Sequence, residues 1–191
     1  MKKITYTLFL FSFLISSFGC KTYLSDEIRN FIPYDVNQEL TFVSDKNVIN
    51  IFKIIRIQDK RFTEGIGASK AEGISVNTSR VIDSVSVKKN ISILYAKAQY
   101  GKKEEYIRFE LNLTGGEMSI DVPLSEIKNK KIITFKNRFN EYKDVLKFEF
   151  VYNPYPRESQ ITELYWSLSN GYVRVIQHDG IIWDLKSNNT Y

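Results

Sequence analysis

From Glu39 onward the chain is a succession of short stretches in which apolar and polar residues alternate, separated by turn-forming residues. YIRFELNL shows it most plainly. Ile107, Phe109, Leu111 and Leu113 fall on one side, with Arg108, Glu110 and Asn112 on the other. That period of two predicts a half-buried strand. ELTFV, followed by the turn SDKN, and MSIDVPL, IITFKN and VLKFEFVY carry the same signal, while VINIFKIIRI is apolar enough to cross the middle of a sheet. ISVNTSRVIDSVSV and ISILYAKAQY alternate as well. Only Leu124 to Lys131 offers a short helix instead, and no stretch carries an apolar stripe over three helical turns.

TELYWSLSNGYVRVIQHDGIIWDLK contains two turn signals, Asn170-Gly171 and Asp179-Gly180, each flanked by alternating residues. Asn-Gly and Asp-Gly are strong hairpin signals, because both residues take positive φ at little cost. Three strands follow, at about 162–169, 172–177 and 181–186. Trp166, Leu168, Val173, Val175, Ile181, Trp183 and Leu185 make this meander integral to the fold, whereas Ser187 to Tyr191 read as a dispensable tail. With eight to ten strands joined by short turns, the fold class is all-β: a single antiparallel meander forming a curved sheet, half-barrel or small barrel, with a β-sandwich as the alternative.

The first nineteen residues have a different pattern. Lys2-Lys3 is basic, Ile4 to Phe18 is apolar apart from threonine and serine, and Gly19 directly precedes Cys20. This is the order of a secretory signal. Fifteen residues are fewer than the roughly 20 of a membrane-spanning helix. Cys20 is the only cysteine, so no internal disulfide can form and stability must come from packing. A lone cysteine after a small residue at this place resembles the bacterial lipoprotein lipobox, although Ser17 stands where a branched aliphatic is usual and Phe18 where a small residue is usual. The resemblance implies cleavage before Cys20, lipidation of its sulfur and acylation of the new amino terminus. The alternatives are a secreted protein with an incidental cysteine and an uncleaved single-span anchor. The organisation expected is a signal peptide over 1–19, a lipidated tether over 20–38 with one helical turn around Ser25 to Asn30, and one β domain over 39–191.

Removing the signal takes Lys2 and Lys3 with it and lowers the formal charge from +5 to +3. That is too mild for a nucleic-acid partner, which asks for a clustered basic face. Aromatics are plentiful, with 12 tyrosines and 13 phenylalanines, and this favours strands.

The sequence offers no catalytic signature, and an enzyme is not expected. His178 is the only histidine and lies in a hairpin turn, so it serves backbone geometry rather than a triad. One histidine and a committed cysteine leave zinc too few ligands, and no oxygen-rich calcium loop is present; neither metal nor other cofactor is implied. EGIGASKAEG, with Gly65, Gly67 and Lys70, lacks the Gly-Lys-Ser/Thr ending of a phosphate loop and reads as a glycine-rich loop. Glu104, Glu105 and Asp144 are carboxylates in no context that singles out a pair. Tyr165, Trp166, Tyr172 and Trp183 form the candidate ligand-binding surface, since tyrosine and tryptophan join apolar area to a polar handle suited to sugar or lipid. Core packing is their competing use. Asp83-Ser84-Val85 resembles a three-residue O-glycosylation signal of exported Gram-negative proteins.

Ile32-Pro33-Tyr34 followed by a strand, and the closing NGYVRVIQHDGIIWDL hairpin, resemble a broad set of small uncharacterised lipoproteins of Gram-negative bacteria. These motifs cover some 45 residues at the two ends of the chain. The resemblance implies a lipid-anchored β domain of the cell envelope, placed at the outer membrane on its periplasmic or surface face. It carries no catalytic residues. The expected function is non-catalytic binding or envelope interaction with a lipid, glycan or envelope-protein ligand. The alternatives are a lipid-binding half-barrel and a carboxylate hydrolase of envelope polymers.

Overall fold

The computed structural model describes residues 21–22, 24–64, 69–82, 85–97, 104–111, 113, 119–151 and 160–190. They form β1 (Lys21–Thr22), α1 (Asp26–Asn30), β2 (Gln38–Ser44), β3 (Ile49–Glu64), β4 (Ser69–Ile82), β5 (Val85–Lys97), β6 (Tyr106–Glu110), β7 (Ser119–Pro123), α2 (Leu124–Asn129), β8 (Ile133–Lys136), β9 (Glu141–Glu149), β10 (Ile161–Ser167), β11 (Gly171–Gln177) and β12 (Ile182–Thr190). The strands make one sheet in the order β7-β6-β5-β4-β3-β2-β12-β11-β10-β9-β8, antiparallel throughout that path, with β1 added in parallel beside β4. The fold is therefore all-β, an open curved sheet rather than a closed barrel. Its two edges, β7 and β8, are joined along the chain by α2.

Aromatic contacts show how far the sheet curls. Phe109 on β6 lies 5.2 Å from Trp166 on β10, 5.9 Å from Tyr172 on β11 and 5.4 Å from Phe148 on β9, although these strands are far apart in the sheet order. Alternation selects the inward set. Ile107 and Phe109 are fully buried, as are Leu40, Phe42, Phe52 and Leu164 on their strands, because successive side chains of a strand point to opposite faces.

The segment read as a tether is part of this core. Ser25 caps α1, its hydroxyl accepting from the Ile28 amide, and Glu105 takes both the Ser25 amide and hydroxyl at 2.6 Å. Leu24, Ile28, Phe31 and Tyr34 are buried. Phe31 stacks on Trp166 at 5.2 Å and 3°, and Tyr34 meets the same ring edge-on at 5.8 Å. The apolar spacing of these residues follows a helical turn and then an extended run, too short for periodicity to reveal. Only the helical turn itself was legible.

Three other boundaries differ from the sequence reading. The glycine-rich loop is largely strand, since β3 runs to Glu64 and β4 starts at Ser69. VIDSVSV divides between β4, which ends at Ile82, and β5, which starts at Val85, a break that the continuing alternation of the sequence hides. Lys88-Lys89-Asn90 do not separate two strands but stand within β5, where the register jumps from Thr78↔Ile91 to Arg80↔Val87. In both closing hairpins only the glycine has positive φ, +76° at Gly171 and +81° at Gly180. Asn170 and Asp179 keep ordinary backbone, as in three-residue loops ending on a left-handed glycine.

Residues 187–190 are not a tail. Ser187, Asn188, Asn189 and Thr190 pair with Thr41, Leu40, Glu39 and Gln38, so β12 pairs with β2 from Trp183 to Thr190, while its pairing with β11 covers Ile182 to Asp184. Their polar sequence gave no alternation to follow.

Candidate functional site

On the face of the sheet away from α1, a short loop at 137–140 is fixed across β11 and β12. Asn137 is buried and does the fixing. Its Nδ2 donates to the carbonyls of Val173 (3.1 Å) and Leu185 (2.9 Å), and its Oδ1 accepts from the amides of Phe139 and Asn140, each at 2.8 Å. An asparagine whose side chain closes its own turn in this way is a local alternative to strand pairing. Here it ends β8 and returns the chain into β9.

Arg138, in the same loop, reaches Asp184, which is fully buried. The Asp184 carboxylate accepts from Arg138 Nε at 2.8 Å, Arg174 Nε at 2.6 Å and Arg174 Nη2 at 3.0 Å. Arg138 Nη2 also donates to the Val43 carbonyl. Arg174 lies over the Phe135 ring at 5.1 Å, and Phe135 stacks on Tyr165 at 4.3 Å. A buried charge has to be paired and hydrogen-bonded; this one is met by two guanidinium groups. The arrangement ties β2, β11, β12 and the loop together.

Beside this support lies an open cleft of about 410 Å³, lined by Asn140, Glu141, Tyr142, Asn170, Leu185 and the run Lys186 to Asn189. A register shift between Leu185 and Ser187 leaves Lys186 out of the ladder with β2, and its carbonyl accepts from Asn140 Nδ2 at 3.2 Å. Bulges of this kind re-aim side chains and are frequent beside functional sites. Tyr142 closes one wall; burial pushes its hydroxyl pKa up, against the hydrogen bonds from Asn140 and Asn137 that lower it. Apart from Leu185, the lining is made of amides and hydroxyls with one carboxylate and one ammonium group. It can donate and accept hydrogen bonds at several neighbouring points, which is what a polyhydroxylated ligand requires.

A second hollow of about 440 Å³ lies where α1 meets β3 and β4, bounded by Arg29, Ile32, Tyr34, Ile57, Asp59 and Ile74. Arg29 spans it, bonding Asp59 at 3.4 Å and Glu72 at 2.9 Å.

The four aromatic residues read from the sequence as a binding surface do not form one. Trp166 and Tyr172 are fully buried with rings 5.0 Å apart, in the interior beside Phe31 and Phe109. Trp183 is buried in the same core and donates to Gln177 at 3.1 Å. Tyr165 is half-buried on the opposite face, against Phe135. Adjacent residues of a strand face opposite ways, so Tyr165 and Trp166 could not share a surface. The indole nitrogen of Trp166 is buried without a hydrogen-bond partner.

The other candidates have structural places. His178 is exposed in the β11–β12 turn, its amide donating to the Gln160 carbonyl at 2.7 Å. Glu104 accepts from the Ser125 amide at 2.6 Å at the start of α2, and hydrogen bonds from Ser125 lower its pKa. Burial pushes Asp144 up, but the bonds from Ser169 and Ser167 outweigh it and the net shift is downward. Glu105 holds Ser25. Each carboxylate is engaged with a hydroxyl or an amide. Lys70 lies on β4 opposite Thr63, whereas Cys20, Gly65, Gly67 and Ser84 lie outside the described residues. Among the described residues there is no cluster of three or more metal-ligating side chains, and no helix is long and apolar enough to cross a membrane.

No protein-family model, curated protein or solved structure matches the chain. The cleft was not legible in advance. Its members come from three distant segments of polar residues, of which only the Asn-Gly pair carried a structural signal.

Proposed function

We propose that the chain is a lipid-anchored, non-catalytic binding module of the bacterial cell envelope, held at the outer membrane through Cys20, and that its ligand is a glycan bound in the cleft beside Asn140 and Lys186. The observation that carries the reading is the cleft itself: amides, hydroxyls, Glu141 and Lys186 around about 410 Å³, on a backbone fixed by Asn137 and Asp184. Rigid support keeps the ordering cost of binding low.

The two alternatives fit less well. A lipid-carrying half-barrel needs an apolar hollow on the concave face, and Ile28, Phe31 and Tyr34 fill that place. A carboxylate hydrolase needs a carboxylic acid with a raised pKa to protonate its leaving group, whereas Glu104 and Asp144 shift downward.

Two measurements test the reading. Fatty-acid labelling and membrane fractionation of wild type and Cys20→Ser should show label and membrane association lost together. Titration with oligosaccharides from lipopolysaccharide and peptidoglycan should give binding that Glu141→Ala and Lys186→Ala weaken about tenfold, the worth of one good hydrogen bond to a charged group. Both residues are exposed, so the fold should survive. Membrane association unchanged in Cys20→Ser would remove the anchor. Glycan binding indifferent to both alanines would remove the cleft.

A further inference from the structure

β12 has a neighbour on each side in the sheet, yet one of its edges is open over half its length. β11 pairs with it only from Ile182 to Asp184, opposite Ile176 to Arg174. Continued at the same register, that ladder would bring Tyr172 opposite Lys186 and Asn170 opposite Asn188. Residues from distant segments take its place. Asn137 Nδ2 donates to the carbonyls of both Val173 and Leu185, bridging the two strands where their ladder stops. The Tyr172 amide donates to Tyr34 Oη at 3.0 Å, and the Lys186 carbonyl accepts from Asn140 Nδ2 at 3.2 Å. β11 thus has these bonds met without β12, and the strands part.

The consequence falls on the end of β12. Ser187 to Thr190 pair with β2 on one side. In an antiparallel ladder, successive residues turn their N–H and C=O groups alternately toward one neighbour and the other. Among the described residues, no backbone group meets this run from the side away from β2. The cleft lies along it: Leu185 to Asn189 line it continuously, with Asn140, Glu141, Tyr142 and Asn170 completing the wall.

An unpaired strand edge takes an extended peptide as an added strand. A sugar offers hydroxyls, which suit the side-chain amides, but no row of N–H and C=O groups at strand spacing. Side chains and strand edge together ask for a ligand that has both. Charge agrees. Glu141 and Lys186 are exposed and, among the described residues, have no ion-pair partner. They offer a carboxylate to an ammonium group and an ammonium group to a carboxylate, groups that peptides carry and neutral sugars lack. At about 3.3 Å per residue, the open run from Ser187 to Thr190 has room for a peptide of about four residues. A cleft of about 410 Å³ admits one narrow chain and not the sheet edge of a second copy.

We propose that the ligand of the cleft is a glycan bearing a short peptide, with the peptide lying along the free edge of β12 over Ser187 to Asn189 as an added strand. This rests on the reading of the cleft as a glycan site.

Calorimetric titration of the full chain in detergent, with three probes, tests the assignment. The probes are the disaccharide of peptidoglycan, the same disaccharide carrying its peptide, and that glycopeptide with its peptide backbone N-methylated. The peptide should tighten binding about tenfold, the worth of one or two backbone hydrogen bonds, and N-methylation should remove the gain. The change is made on the ligand, so no variant has to fold. Hydrogen exchange over 187–190 should slow with the glycopeptide and not with the disaccharide. Equal affinity with and without the peptide, or a gain that survives N-methylation, would overturn the peptide's place on β12 and leave the glycan reading standing. Binding of none of the three, where oligosaccharides of lipopolysaccharide do bind, would overturn this ligand class alone. Binding of no glycan from either polymer would overturn the cleft reading, and the proposal with it.

Discussion

Two glycines at equivalent places in the closing hairpins allow steric crowding to be separated from backbone strain. Gly171 and Gly180 have nearly the same φ, +76° and +81°. A Cβ on Gly180 meets nothing within 4 Å, whereas one on Gly171 falls 2.0 Å from Tyr34 Oη, 2.3 Å from Cζ and 2.7 Å from Cε1. Alanine in the left-handed region costs about 1–2 kcal/mol, offset in part by the smaller entropy of the unfolded chain. Gly180→Ala should therefore cost about 1 kcal/mol. Gly171→Ala has the same backbone cost and must also displace Tyr34. That ring cannot withdraw without losing its acceptor role toward the Tyr172 amide at 3.0 Å and its edge contact with Trp166. Stranding a buried donor costs about 1–3 kcal/mol, and an aromatic pair contributes about 0.5–1.5 kcal/mol. The total for Gly171→Ala is about 3–5 kcal/mol. At about 2–4 °C per kcal/mol for a chain of this size, Tm should fall by roughly 6–20 °C, against about 2–4 °C for Gly180→Ala. Urea unfolding of both variants, repeated in a Tyr34→Ala background, completes the test: without the ring, Gly171→Ala should cost only the backbone term. Equal destabilisation of the two glycine variants, within about 0.5 kcal/mol, would refute the packing of Tyr34 against this turn and the place given to 24–34 in the core.

Asp184→Ala should destabilise by about 3 kcal/mol in urea unfolding, since three charge-assisted bonds are lost while Arg138 and Arg174 can still reach water. Deleting Ser187 to Tyr191 should lower stability by about 1–3 kcal/mol, because the ladder to Gln38–Thr41 is lost while four residues regain chain entropy; truncation after Asp179 should leave no cooperative melt. Burial holds the hydroxyl pKa values of Tyr34 and Tyr172 well above the ordinary tyrosine value of about 10. Folding thus favours their neutral forms, and stability complete below pH 10 should be lost above it by up to about 1.4 kcal/mol per pH unit for each tyrosine. Spectrophotometric titration checks this: the tyrosinate signal of these two side chains should rise only with unfolding, and Tyr34→Phe should shift the alkaline transition.

What could be read from the sequence was whatever depended on neighbours in the chain. Ile107, Phe109, Leu111 and Leu113 alternate and are all buried. The closing meander and the short helix at Leu124–Asn129 stand where local pattern put them. The pairing of β2 with β12 was invisible, because Asn188 and Asn189 meet Leu40 and Glu39 only through the fold of everything between. The same holds for Phe31 on Trp166. An aromatic strand residue looks identical in sequence whether it faces solvent or a helix supplied by a distant segment, and so the tryptophans suggested a surface. The polar cleft was hidden for the opposite reason: asparagines and serines carry no periodicity.

The seam between β2 and β12 also imposes an order of events during synthesis. Ser44 finds its partner Trp183 only after about 140 further residues have been made, and contacts so distant in sequence form slowly because the loop must close first. Until then the outer edge of β2 offers unpaired backbone groups to any other strand it meets. A nascent chain of this protein is thus obliged to stay unfinished until its last strand emerges. That delay concentrates the risk of aggregation in the interval before β12 arrives.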